Sequence, residues 1–150
     1  WIWKIETIVR KNQLDEFFAL TGGFEYTFTN ISESGLDIGV IGEYLYDTRE
    51  PIGLTGEIDR FRFPPTPFYN HVFAGTRLAF NDVQSTELLM GGIVSLENGS
   101  TFLNVEGSRR IGDSFKLYLE YRGFLNLEPI DLFYGFKDDS YLQLELEWYY

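Results

Sequence analysis

The stretch Tyr141-Leu142-Gln143-Leu144-Glu145-Leu146-Glu147-Trp148-Tyr149-Tyr150 alternates apolar and polar residues and stops on an aromatic. In an extended chain, successive side chains point to opposite faces. Leu142, Leu144, Leu146, Trp148 and Tyr150 therefore share one face, and Gln143, Glu145 and Glu147 share the other. A period of two over this length predicts a β-strand with one dry and one wet face.

The same period recurs upstream. It predicts eight strands, at about 1–11, 17–29, 36–47, 71–81, 86–97, 101–111, 115–127 and 140–150. Each has about the 9–11 residues that a tilted strand needs to cross a bilayer. No segment carries a helical period, and no run approaches the roughly 18 apolar residues of a spanning helix. The connections differ in length, and two of the four on the long-loop side are short. Those at 12–16, 30–35, 81–85, 97–100 and 111–114 are short, whereas 47–70 and 127–140 are long and fall on the same side, opposite the C-terminus. Asn98-Gly99 is a strong hairpin signal, and Gly112-Asp113 supplies another tight turn. Outer-membrane barrels combine short turns on one side with longer loops on the other.

Composition bounds the reading more loosely. The chain has 150 residues, no Cys and a net charge of −11. One domain is the default at this length, covering 1–150, and neither a disulfide framework nor a Cys-based zinc site is available. The acidic balance argues against a nucleic-acid partner, which needs a basic surface. A mean hydropathy of −0.16 excludes a bundle of spanning helices but not a barrel, whose alternating faces average out. The chain opens already in alternation, on Trp1-Ile2-Trp3-Lys4-Ile5-Glu6. We therefore expect an antiparallel up-and-down transmembrane β-barrel. Its eight strands would form either the whole barrel or the C-terminal part of a larger one.

The two faces can be followed through all eight segments. On the apolar face, Trp1, Trp3, Phe28, Phe80, Phe115, Trp148 and Tyr150 gather at the end that holds the C-terminus. They read as an aromatic girdle at one membrane interface. Phe18, Tyr44 and Tyr46 form a thinner one at the other rim. Arg109 is the exception on this face, near the interface, where a long cation can snorkel. The opposite face carries Lys4, Glu6, Arg10, Glu25, Glu43, Arg77, Glu106, Glu120, Arg122 and Glu145, the candidate lumen residues. Neighbouring strands offer opposite charges, for example Arg122 with Glu145.

With its final aromatic, 141–150 resembles the C-terminal strand of bacterial outer-membrane β-barrels. Gly22-Gly23-Phe24-Glu25-Tyr26-Thr27-Phe28 and Gly42-Glu43-Tyr44-Leu45-Tyr46-Asp47 are similar to stretches of porin-like proteobacterial outer-membrane proteins. The resemblance spans most of the chain. It implies the outer membrane of a Gram-negative bacterium, with the C-terminus periplasmic and outer-membrane lipid and lipopolysaccharide around the barrel. It also implies a barrel-assembly machinery that reads Leu142, Leu144, Leu146, Trp148 and Tyr150 as an assembly signal. A second copy or another envelope protein is a further partner to expect. No functional residue is carried over.

The leading expectation is a porin-like channel that passes small polar solutes or ions through a charged lumen with acidic groups in excess. One alternative is a non-conducting barrel that serves as anchor or scaffold, because eight strands leave room only for side chains. Another is a soluble lipocalin-type barrel with the apolar face inside, holding an apolar ligand.

No enzyme and no cofactor are expected. His71, the only histidine, has no Ser in a nucleophile context beside it and reads as a rim residue. Asp131 and Asp138-Asp139 carry hard oxygen donors of the kind calcium takes, but read as a solvated acidic loop. Asn98-Gly99-Ser100 matches a glycosylation sequon and reads as turn geometry. Arg60-Phe61-Arg62-Phe63-Pro64-Pro65-Thr66-Pro67-Phe68-Tyr69 alternates basic and aromatic residues, as a lid, a constriction or a lipopolysaccharide contact would, or as a self-packed loop. Mid-strand Gly22-Gly23, Gly39, Gly42, Gly75 and Gly91-Gly92 predict curvature or close approach of rings to backbone.

Overall fold

The computed structural model describes residues 1–11, 16–31, 33, 35–49, 68–129, 131 and 133–150. The strands are β1 (Ile2–Lys11), β2 (Glu16–Phe28), β3 (Asp37–Asp47), β4 (Asn70–Ala79), β5 (Glu87–Ser95), β6 (Thr101–Ile111), β7 (Phe115–Leu125) and β8 (Tyr141–Trp148). Each falls within a few residues of a segment read from the period of two. They form one sheet in the order β1-β2-β3-β4-β5-β6-β7-β8, every pair antiparallel. Among the described residues there is no α-helix, only a single 3-10 turn at Tyr134–Phe136.

A one-residue slip in any pairing would exchange the two faces. The register makes no such slip. One row crosses the sheet as Trp3, Phe24, Gly42, Ala74, Gly92, Leu103 and Gly123. Further along, Leu117 pairs with Leu146, Leu119 with Leu144 and Tyr121 with Leu142. The apolar face is therefore continuous from β1 to β8. The other face has rows such as Gly39, Arg77, Leu89, Glu106, Glu120 and Gln143.

At one end of the sheet, here the loop end, β1 is followed by β2, β3 by β4, β5 by β6 through 96–100, and β7 by β8. Three connections lie at the other, the turn end: 29–36, 80–86 and 112–114. The C-terminus leaves from the turn end. Gly99 (φ 74°) takes the left-handed conformation that its hairpin needs. The turn end is laced together. Asn81 Nδ2 donates to the Gly35 carbonyl at 2.7 Å and to Asp37 Oδ2 at 3.0 Å. The Arg110 amide donates to the Gln84 carbonyl at 2.9 Å, and the Tyr149 amide to that of Ser114 at 2.7 Å.

The sheet is open. β1 pairs only with β2, and β8 only with β7. β1 is exposed at every position, and β8 at every position except Glu147. Closure of these eight strands on themselves, one of the forms expected from sequence, is not what the chain adopts. An eight-strand barrel has an interior just wide enough for side chains. The polar face here carries Phe17, Phe73, Phe102, Tyr118, Phe124 and Tyr141 among its charges.

Candidate functional site

The ten candidate lumen residues all lie on one face, because the register keeps their parity through seven pairings. Several are paired. Lys4 Nζ lies 3.5 Å from Glu25 Oε2 across β1 and β2, and Arg77 Nη2 lies 3.2 Å from Glu87 Oε2 across β4 and β5. The expected Arg122–Glu145 pair does not form. Arg122 sits opposite Tyr141, and Glu145 opposite Tyr118. Arg122 Nε instead reaches Glu120 Oε1 on its own strand at 2.9 Å, and its guanidinium lies 5.9 Å from the Tyr141 ring centre. Tyr141 hydroxyl donates to the same Glu120 oxygen at 2.5 Å.

Towards the turn end, this face forms an open cleft of about 590 Å³ across β4 to β8. Glu87, Glu106, Glu120, Glu145 and Glu147 line it, with Arg77 as the single cation among its lining residues. The excess of carboxylates makes this half of the face attract cations. Among the described residues, no group of three or more His, Asp or Glu side chains is arranged to hold a metal ion.

The loop end of the same face is covered rather than open. Phe102 and Phe124 face each other across β6 and β7, with ring centres 5.2 Å apart. Phe133, from the connection between β7 and β8, stacks on Phe102 at 5.8 Å and also meets Phe124 and Phe68. Phe136 stacks on Phe124 at 5.8 Å. The connection is thus folded back over the polar face.

Asp131 fixes that connection. One of its oxygens accepts from Asn98 Nδ2 at 3.1 Å and from the Ser100 hydroxyl at 3.2 Å. The other accepts from the Glu128 amide at 2.6 Å. Asp131 therefore differs from the solvated acidic residue expected from sequence. Asn98-Gly99-Ser100 is a hairpin turn, as read, and is also the docking point for this loop.

His71 sits at the rim, as the second residue of β4 at the loop end, but is not open to solvent. It is 7% exposed, with Phe68 and Tyr69 edge-on to its ring at 5.3 and 5.6 Å. No serine hydroxyl is bonded to it among the described contacts. Nearby, Asp47 is 3% exposed and is held by Arg49, whose Nε donates to it at 2.8 Å while Nη2 takes the other oxygen. The Arg49 guanidinium lies 3.6 Å over the Phe17 ring. The basic–aromatic stretch 60–69 lies outside the described residues except for Phe68 and Tyr69.

On the apolar face, aromatics concentrate at the turn end of the two edges. Trp1 stacks on Tyr26 at 4.3 Å, Trp3 meets Phe24 at 5.8 Å, and Tyr26 meets Phe28 edge-on at 4.5 Å. At the far edge, Phe115 sits opposite Trp148, which meets Tyr150 at 5.7 Å. Phe80 follows β4 at the same end, its amide donating to the Thr86 carbonyl at 3.0 Å. At the loop end, Tyr46 lies 6.3 Å from both Phe18 and Tyr44.

No protein-family model, no curated protein and no solved structure shows significant similarity to this chain.

Sequence reasoning missed the folded-back loop and its Asp131 anchor. The available signal was Phe102 and Phe124, two large apolar residues at positions whose parity belongs to the polar face. Their partners, Phe133 and Phe136, sit in a segment with no period to place them.

Proposed function

We propose that this sheet is wall of a transmembrane β-barrel of the outer-membrane type. Its apolar face meets lipid, and its polar face lines a water-filled lumen through which small polar solutes or ions, cations in preference, pass passively. One observation carries the reading. The apolar face runs through all seven pairings and ends in aromatics, its charges (Lys11, Glu16 and Arg109) standing towards strand ends, while the buried side chains of the strands lie on the polar side. Phe17, Asp47, His71, Ile93 and Ser95 are all buried on that face.

Physical cost supports this orientation. Trp3, Ile5 and Leu142 are 71%, 75% and 64% exposed. Apolar surface left in water forfeits roughly 25 cal/mol per Å², and lipid would remove that loss. A lipocalin-type barrel needs the opposite arrangement, with cover on the apolar face. The open edges add a constraint: in hydrocarbon, unpaired backbone groups cost several kcal/mol each. Both edges must therefore be paired in the membrane, by further strands or by a second copy. The wider barrel that results leaves the aqueous path that eight strands alone would not.

The non-conducting anchor remains the second reading, favoured by the loop that covers one end of the face. Planar-bilayer recording of the complete natural protein separates the two. The channel reading expects discrete conductance steps and a reversal potential displaced towards the cation in a salt gradient. Absence of steps would favour the anchor.

A further inference from the structure

We infer that the connection between β7 and β8, through Glu128, Asp131, Phe133 and Phe136, forms the constriction of the channel, with Asp131 as the latch that holds it inside the lumen. The inference rests on the channel reading above and deepens it. Two independent sets of contacts hold this segment: ring contacts of Phe133 and Phe136 with Phe102 and Phe124 lay it over the polar face, and the Asp131 hydrogen bonds tie it to the hairpin turn beside that face.

Chemistry explains why an aspartate is used. A carboxylate is acceptor-only and can take several donors at once. Here it takes the Asn98 amide, the Ser100 hydroxyl and the Glu128 backbone amide. The first two donors belong to the hairpin between β5 and β6, and the third to the loop itself. One side chain therefore ties the loop to a rigid turn two strands away, and hydrogen bonds to an ionised acceptor are stronger than neutral ones. The rings alone would not fix the loop so well, because stacked aromatics slide at little cost. The position matters for passage. The loop covers the loop end of the polar face, and the acidic cleft opens towards the turn end. A solute crossing the lumen meets first the aromatic, narrowed end and then the carboxylate-lined one.

The test uses the absence of Cys in the chain. Ser100→Cys with Asp131→Cys introduces the only two thiols of this stretch, and the complete natural protein carrying them, with any cysteine elsewhere replaced by serine, is reconstituted in lipid. The expected result is a rapid, near-complete disulfide, with conductance at the parent level when oxidised and shifted upward when reduced. Asp131→Ala alone, which frees the loop without thiols, should give the same upward shift and admit larger neutral sugars in liposome swelling. Failure of the disulfide to form overturns the placement of the loop. A disulfide that forms while both variants conduct as the parent does overturns the constriction and leaves the channel reading standing. Disulfide formation with no conductance in any protein removes the channel reading, and with it the constriction.

Discussion

Gly23 shows how tightly single positions are specified. A Cβ there would stand 2.4 Å from the Gly42 carbonyl oxygen, a backbone atom that cannot swing aside. Gly42 in turn lies under Phe24, whose ring edge would be 3.0 Å from an added Cβ. These mid-strand glycines were legible in sequence as sites of close approach, but what approaches each, the β3 backbone at Gly23 and the Phe24 ring at Gly42, was not. Arg122 was legible as a polar-face residue and illegible in its partner. A period of two gives the face, whereas the register that chooses neighbours depends on every turn in between. Arg109 makes the clearest test of orientation at this scale, because it is a natural charge on the apolar face, placed at the turn end opposite Leu117. Leu119 lies on the same face at mid-strand, opposite Gly107 and Leu144. If lipid covers this face, Leu119→Arg should cost about 2–4 kcal/mol, whereas replacing a charge near the interface should change stability by about 1 kcal/mol or less. Urea unfolding of Leu119→Arg and Arg109→Leu in lipid vesicles measures both. Equal effects at the two depths would contradict the membrane span.

At the scale of the element, the strands were readable almost to their ends because alternation is a local signal. The turns were readable as turns, from Gly, Asn and Asp. Their interlocking was not, since Asn81 bonding to Gly35 and Asp37 joins residues more than forty positions apart. The turn between β4 and β5 has a pH dependence that follows from its geometry. The Thr86 amide and hydroxyl both donate to Asp82, each at 2.7 Å. The amide first, and then the hydroxyl, hold the Asp82 carboxyl below its ordinary value of 3.8. A depressed carboxyl stabilises the folded turn when it is ionised. That contribution is therefore fully present above pH 3.8 and is lost as the pH falls through the lower folded value. Amide exchange at Thr86 should accelerate over that acidic range beyond its intrinsic pH trend, and Asp82→Asn should abolish the extra acceleration. An unchanged profile in the variant would show that another group governs the turn.

At the scale of the whole molecule, sequence carried the sheet's class and strand number but not its closure. Alternation says that a strand has two faces. It does not say which face is inside, nor whether the first strand meets the last. In the structure the sheet is open, and its buried strand side chains, Phe17, Asp47, His71, Ile93 and Ser95, lie on the polar face. The folded-back loop sits on that face too, through the contacts of Phe133 and Phe136. An apolar face that stays bare across eight strands, with its aromatics at the ends, is the property that a bilayer would select. The most direct measurement of that claim is spin-label accessibility along β6 in the complete natural protein in lipid, with one cysteine at a time from 102 to 108. Labels at 103, 105 and 107 should be relaxed by oxygen, which partitions into hydrocarbon. Labels at 104, 106 and 108 should be relaxed by a water-soluble nickel reagent. The opposite parity, or a water-like response at both sets of positions, would contradict the account.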